Sequence, residues 1–210
     1  MTVRKHILAF VALVISAISV HAQEEWSIPV SYSGTNPDIT DFVSAFFMDP
    51  AYGDSLGDMI ENWHRFKRGE SLSAGARYTV DIKNGYVCFE TVDNSEDGIV
   101  WKTAVEWCYW NCSDGKHKLI AENIVSFKNG VPYEGQFSGI MFHLYDNKKK
   151  NIVQIWPRDI DAEIEHPAGT EAVECKLPRI GKTMEYIFHT GKGQTVTKKL
   201  TWNGSKFIAL

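Results

Sequence analysis

The sequence predicts an α+β fold in which two N-terminal helices pack on a mostly antiparallel meander sheet. Three observations lead there. Apolar residues recur at three- and four-residue steps between residues 38 and 69. From Ala76 onward the period switches to two, and β-branched and aromatic residues fill short runs. Those runs are separated by "NG" at Asn84, Asn129 and Asn203 and by "DG" at Asp97 and Asp114, dipeptides that tolerate the positive φ of tight hairpins. Parallel pairing would require long crossovers, which the strand-and-turn spacing leaves no room for. An all-β sandwich or barrel carrying N-terminal helices is the alternative.

The chain begins with a basic head, MTVRKH, then the apolar run ILAFVALVISAISV, then Val20 and Ala22 at the small-residue positions of a cleavage site. Residues 1–22 are therefore expected to be a signal peptide. Residues 23–210 then form a single secreted α+β domain, with a candidate sub-boundary near 157–171. The apolar run is shorter than the ~20 residues of a spanning helix, and no other stretch approaches that length, so no transmembrane segment is expected. The expected location is secreted or periplasmic.

The first helix reads as DITDFVSAFFMDP, with Ile39, Phe42, Val43, Phe46 and Phe47 on one face. Asp38 and Asp41 complement its N-terminus and Pro50 stops it. The second, SLGDMIENWHRFKRG, opens on Ser55 and Asp58 as a variant capping box and carries Leu56, Met59, Ile60, Trp63 and Phe66 as its stripe. Lys67, Arg68 and Gly69 end it. Strands are expected near 76–82, 86–93, 99–110, 118–128, 138–145, 151–157, 172–177, 184–190, 194–202 and 206–209. Residues 157–170, with two prolines and a glycine, read as a linker between sheets.

Charge excludes one partner class. The chain holds 22 Lys and Arg against 26 Asp and Glu, and loss of residues 1–22 would remove Arg4 and Lys5 and no acid. Nucleic-acid affinity rests on clustered cations, and the one clear cluster, Lys148 to Lys150, falls in a hairpin turn. No nucleic-acid partner is expected.

The stretch EWCYWNCSDGKHK, residues 106–118, poses the sharpest chemical question. A redox pair needs Cys-x-x-Cys at a helix N-terminus, but here the spacing is three and the context is strand. A zinc site from Cys108, Cys112 and His117 lacks a fourth ligand. A stapled turn remains, with disulfide candidates Cys108, Cys112 and Cys88. A three-residue turn centred on Gly98 would bring Cys88 opposite Cys108, and four cysteines leave the pairing open.

On the same strand Trp101, Thr103, Val105, Trp107 and Tyr109 share the face that reads as core. Trp110, which faces the other way beside a turn, is the candidate exposed anchor for a ligand or partner. Glu90, Glu106 and Glu122 lie on successive strands and are candidates for a binding or glycosidase-like carboxylate set. The run RDIDAEIEH alternates Asp159, Asp161, Glu163 and Glu165, which suits either a solvated edge strand or, if looped, a calcium site at Asp159, Asp161 and Glu163. No G-x-S-x-G, H-E-x-x-H or C-G-x-C-W motif occurs. No metal and no cofactor are assigned.

The layout of leader, two helices and a meander containing DIKNGYVCFETV, WCYWNCSDGKHKLIA and LTWNGSKF resembles small secreted Bacteroidetes proteins of uncharacterised function. That resemblance implies an extracytoplasmic bacterial protein and transfers no catalytic residue. In architecture the helix-covered sheet is also similar to cystatin-like and NTF2-like domains. The resulting expectation is a secreted, non-enzymatic binding or interaction module for an unknown protein or glycan ligand. The alternative is a secreted glycan-acting hydrolase using sheet-face carboxylates.

Overall fold

The computed structural model describes residues 26–50, 57–133, 139–191 and 193–210. The expected leader, and Ser55 with its cap, lie outside them. The fold is α+β: among the described residues two helices lie over a mostly antiparallel arrangement of strands, and neither sheet closes into a barrel. Among the described residues no helix is long and apolar enough to cross a membrane.

Helix α1 spans Ile39–Met48, and α2 spans Gly57–Arg68. The Asp38 carboxylate accepts from the Thr40 and Asp41 backbone N–H groups, and the Asp41 carboxylate accepts from Asp38 N at 2.8 Å. This reciprocal box satisfies donors that no helical carbonyl can reach. Helix α2 is docked by polar contacts as well as by Met59 and Trp63. Trp63 Nε1 donates to Ser44 Oγ at 3.1 Å, and the Tyr78 hydroxyl donates to Met59 O at 2.9 Å.

The strands are β1 Ser27–Pro29, β2 Ala76–Asp81, β3 Tyr86–Asn94, β4 Val100–Asn111, β5 His117–Lys128, β6 Val131–Tyr133, β7 Gly139–Asp146, β8 Asn151–Ile155, β9 Thr170–Lys176, β10 Thr183–Thr190, β11 Gln194–Trp202 and β12 Phe207–Ala209. Among the described residues one sheet runs β1-β8-β7-β5-β4-β3-β2, with β6 paired to the end of β5. A second runs β12-β11-β10-β9. All the pairings are antiparallel. The two strands absent from the sequence reading, β1 and β6, are three-residue edge pieces too short to show a period.

The strands divide into two sheets at the 157–170 linker, and the main departure is that the second sheet packs over a face of the first. The helices cover one face of the large sheet, and the small sheet covers the other, so the molecule has two apolar cores. The first contains Phe42, Phe46, Trp63, Trp107 and Ile120; the second contains Cys108, Trp110, Leu119, Phe142, Met184 and Trp202. Strands β4 and β5 are sandwiched, and residues Leu119–Val125 are buried without interruption. That explains why LIAENIV is almost continuously apolar where a half-buried strand would alternate.

The segment between β8 and β9 carries the chain from one sheet to the other. Pro157–Ile160 is a 3₁₀ turn, and Asp161 takes a left-handed backbone at φ 53°. Ile160 and Ala162 enter the second core. The alternating-acid strand expected here is absent, because the prolines and the turn break the two-residue period.

Candidate functional site

The cysteine stretch is a turn, and it is not stapled. Cys88, Cys108, Cys112 and Cys175 are all free thiols. The β3–β4 connection, residues 95–99, is centred on Asp97 rather than Gly98, so Tyr86 pairs with Cys108 and Cys88 with Glu106. That register leaves Cys88 and Cys108 as a diagonal pair, about 7 to 8 Å apart at Cα, too far for the usual bridge. Cys112 N donates to His117 O at 3.0 Å, which closes the hairpin by backbone bonding instead. Burial pushes the Cys88 thiol up to about 11 and holds Cys108 and Cys175 far above the ordinary thiol range, with the Glu106 charge adding to each. Such thiols stay protonated and are poor nucleophiles.

Trp110 is not an exposed anchor. It is buried between the sheets, donates Nε1 to Gly181 O at 3.2 Å and meets Phe207 edge-on. The expectation of exposure assumed one sheet, and the second sheet covers this face. The calcium candidates are dispersed by the turn: the Asp159 carboxylate accepts from Trp156 N, and Asp161 pairs with Lys206 at 2.8 Å. Among the described residues no group of three or more His, Cys, Asp or Glu is placed to hold a metal ion.

Two of the three strand carboxylates converge. Paired residues share a sheet face, and the ladder couples Glu90 to Ala104, Cys88 to Glu106, and Glu106 to Asn123. Glu90, Glu106 and Asn123 therefore face the small sheet. Glu122, one residue before Asn123, turns into the helix-side core. There its Oε2 lies 3.6 Å from His143 Nε2, both side chains sealed from solvent, with Phe46 and Trp26 over the His143 ring.

Glu90 and Glu106 open onto a cleft of about 330 Å³ where β9 lies against the large sheet. Strand β9 and the residues after it add Glu174, Lys176 and Arg179, and β4 adds Lys102. Ala104, Val125 and Phe127 supply an apolar floor. At the back, Glu106 is fully engaged. Its Oε1 accepts from the Tyr86 hydroxyl at 2.7 Å, while Oε2 accepts from Asn123 Nδ2 at 2.9 Å and Leu177 N at 3.3 Å. Asn123 Nδ2 also donates to Cys175 O at 2.8 Å, so this network fastens the small sheet to the large one.

The other charges are paired in place. Lys102 Nζ lies 2.7 Å from Glu90 Oε1, and Arg77 donates to Glu90 Oε2 through two nitrogens. These contacts, Lys102 first, hold the Glu90 carboxyl below the usual range. Lys176 Nζ is 3.1 Å from Glu174, and Arg179 Nε is 2.9 Å from Asp81. The sequence reading missed Glu174, Lys176 and Arg179. Their signal was the alternating charge in VECKLPR, but only the docking of β9 shows what they face. Comparison of the chain with protein families, characterised proteins and solved structures found no match.

Proposed function

We propose that the protein is a non-enzymatic binding module, exported from the cytoplasm on residues 1–22 as its leader, which holds a small polar ligand in the inter-sheet cleft. The observation that supports this reading is the cleft itself. Its volume of about 330 Å³ lies at the small end of ligand pockets, and it combines an apolar floor with several fixed polar groups. Those groups are pre-positioned by internal ion pairs, which lowers the ordering cost of binding.

The hydrolase reading has one observation in its favour. Glu90 and Glu106 are diagonal neighbours on the same face of adjacent strands, and a pair of convergent carboxyl groups is what glycosidases use. The surroundings weigh against it. A general acid needs a raised pKa, whereas Glu90 is held low by Lys102 and Arg77. The oxygens of Glu106 already accept from three protein donors, which hold the carboxylate to the sheet junction rather than toward an attacking water.

A backbone-amide NMR titration of isotopically labelled protein with single mono- and disaccharides and amino acids tests the binding reading. Shifts confined to Thr79, Tyr86, Lys102, residues 174–177 and Arg179 are expected, with every compound recovered unchanged. Hydrolysis of an aryl glycoside that is lost in Glu106→Gln would replace the reading with the hydrolase. For export, N-terminal sequencing of the protein from outside the cytoplasm should begin near Gln23.

A further inference from the structure

The charges of the cleft are layered by depth, and this layering selects a ligand. Counted in full the site is neutral, with Asp81, Glu90, Glu106 and Glu174 matched by Arg77, Lys102, Lys176 and Arg179. The two signs are not mixed. The cation side chains are between 42% and 70% exposed, while those of Asp81, Glu90 and Glu174 are between 12% and 16% exposed. A solute approaching the mouth therefore meets cations first, although the chain as a whole is acidic.

We propose that the cleft takes a carboxylate-bearing saccharide, of uronic-acid chemistry, with its carboxylate on the Arg179–Lys176 side of the rim and a sugar ring over Phe127. This deepens the binding reading above and rests on it. The donors at the rim are not exhausted by their internal pairs. Arg179 spends Nε on Asp81 and, among the described residues, keeps both terminal amino groups, a planar fork suited to a carboxylate. Among the described residues Lys102 and Lys176 each pair with one carboxylate and carry three N–H donors. Each cation is held from behind by an acid less exposed than itself, so it reaches the ligand already oriented.

The remainder of the cleft suits the rest of such a molecule. Phe127, Val125 and Ala104 offer apolar surface for the C–H face of a ring, with Lys102 Nζ 5.8 Å from the centre of the Phe127 ring. Glu90, Glu174 and the Thr79 hydroxyl are acceptors within the cleft walls for sugar hydroxyls. A bare inorganic anion would use the rim alone and leave the floor wet.

Calorimetric titration of the full protein with digalacturonate, with the neutral disaccharide galactobiose and with inorganic phosphate tests this. Digalacturonate should bind about tenfold or more tighter than galactobiose, the scale of one charge-assisted contact, and should weaken as salt screens the rim. Arg179→Gln and Lys176→Gln should each erase most of that preference, weakening digalacturonate far more than galactobiose. Lys199→Gln, on the small sheet and paired with Glu185, should leave both affinities unchanged. Equal affinity for the two disaccharides at the cleft amides would overturn the anionic assignment and leave the binding reading standing. Phosphate binding as tightly as digalacturonate would overturn it as well, since the floor would then play no part. If none of the three binds, this proposal fails whatever other ligand the cleft takes. The salt dependence on the unaltered protein decides the matter should either variant fail to fold.

Discussion

Glu106 and Glu90 face the same cleft two residues apart in register, yet their surroundings make them different objects. Glu106 receives three donors in the interior. Glu90 pairs with the exposed heads of Arg77 and Lys102. Removing an acceptor from buried donors costs about 1 to 3 kcal/mol for each group stranded, whereas a pair held with solvated partners is worth about 0 to 1 kcal/mol. Glu106→Ala should therefore lower unfolding free energy by about 3 kcal/mol or more in urea titrations, and Glu90→Ala by less than about 1 kcal/mol. Equal costs would mean that Glu106 does not fasten the sheets. The cysteines obey the same rule of burial. Native protein should react with iodoacetamide at Cys112 first, the half-buried thiol of the four, and denatured protein should show four reactive thiols without reductant. Fewer than four would reveal a bridge.

At the scale of the element, packing overrides local preference. Trp63 sits at the centre of a ring cluster with Phe47, Phe66 and Tyr78, and it is the residue through which α2 meets both α1 and β2. Trp63→Ala should cost about 3 to 5 kcal/mol, measured by denaturant unfolding. The β2–β3 turn is equally constrained. Gly85 has φ 66°, and a Cβ there would lie 2.7 Å from the Tyr109 ring. Gly85→Ala should destabilise the fold by at least the roughly 1 to 2 kcal/mol of a left-handed alanine, with the Tyr109 contact adding to it. Tyr109→Ala, which also loses the Phe42 contact, should cost less in the Gly85→Ala background than in the unaltered protein.

The whole molecule responds to pH through many such pairs. Hydrogen bonds and neighbouring cations depress Asp81, Glu90, Asp146 and Glu185, and the His117 contact takes Asp114 down to about 2. A depressed carboxyl adds stability above its unfolded pKa, near 4, and that contribution disappears as pH falls through the folded value. Asp41, raised chiefly by burial, works the other way. At the alkaline end the Cys88 thiol, raised to about 11, favours the folded state below pH 9 and ceases to do so between about 9 and 11. Thermal midpoints measured from pH 2 to 11 should form a plateau between about 5 and 9, with losses at both ends. An acid limb that stays flat down to pH 2 would mean that these pairs contribute nothing.

Periodicity and turn dipeptides determined the described helices and every described strand but the short edge pieces β1 and β6. The switch from a step of three and four to a step of two lay in the order of residues such as Ile39, Phe42 and Phe46 and then Tyr78 and Val80, because side-chain direction follows from backbone geometry within each element. The parity of β4 likewise assigned Trp107 and Tyr109 to one core. What tertiary structure alone decided was which faces meet. Nothing near Trp110 says that β9 to β12 fold back over it, since that contact joins positions such as Trp110 and Gly181, far apart in the chain and without a shared pattern. The cleft has the same origin. Glu90 and Glu106 were legible as neighbours on a sheet face, but Glu174, Lys176 and Arg179 reach them only because the small sheet docks, and burial against solvent is a property of two surfaces rather than of either sequence segment.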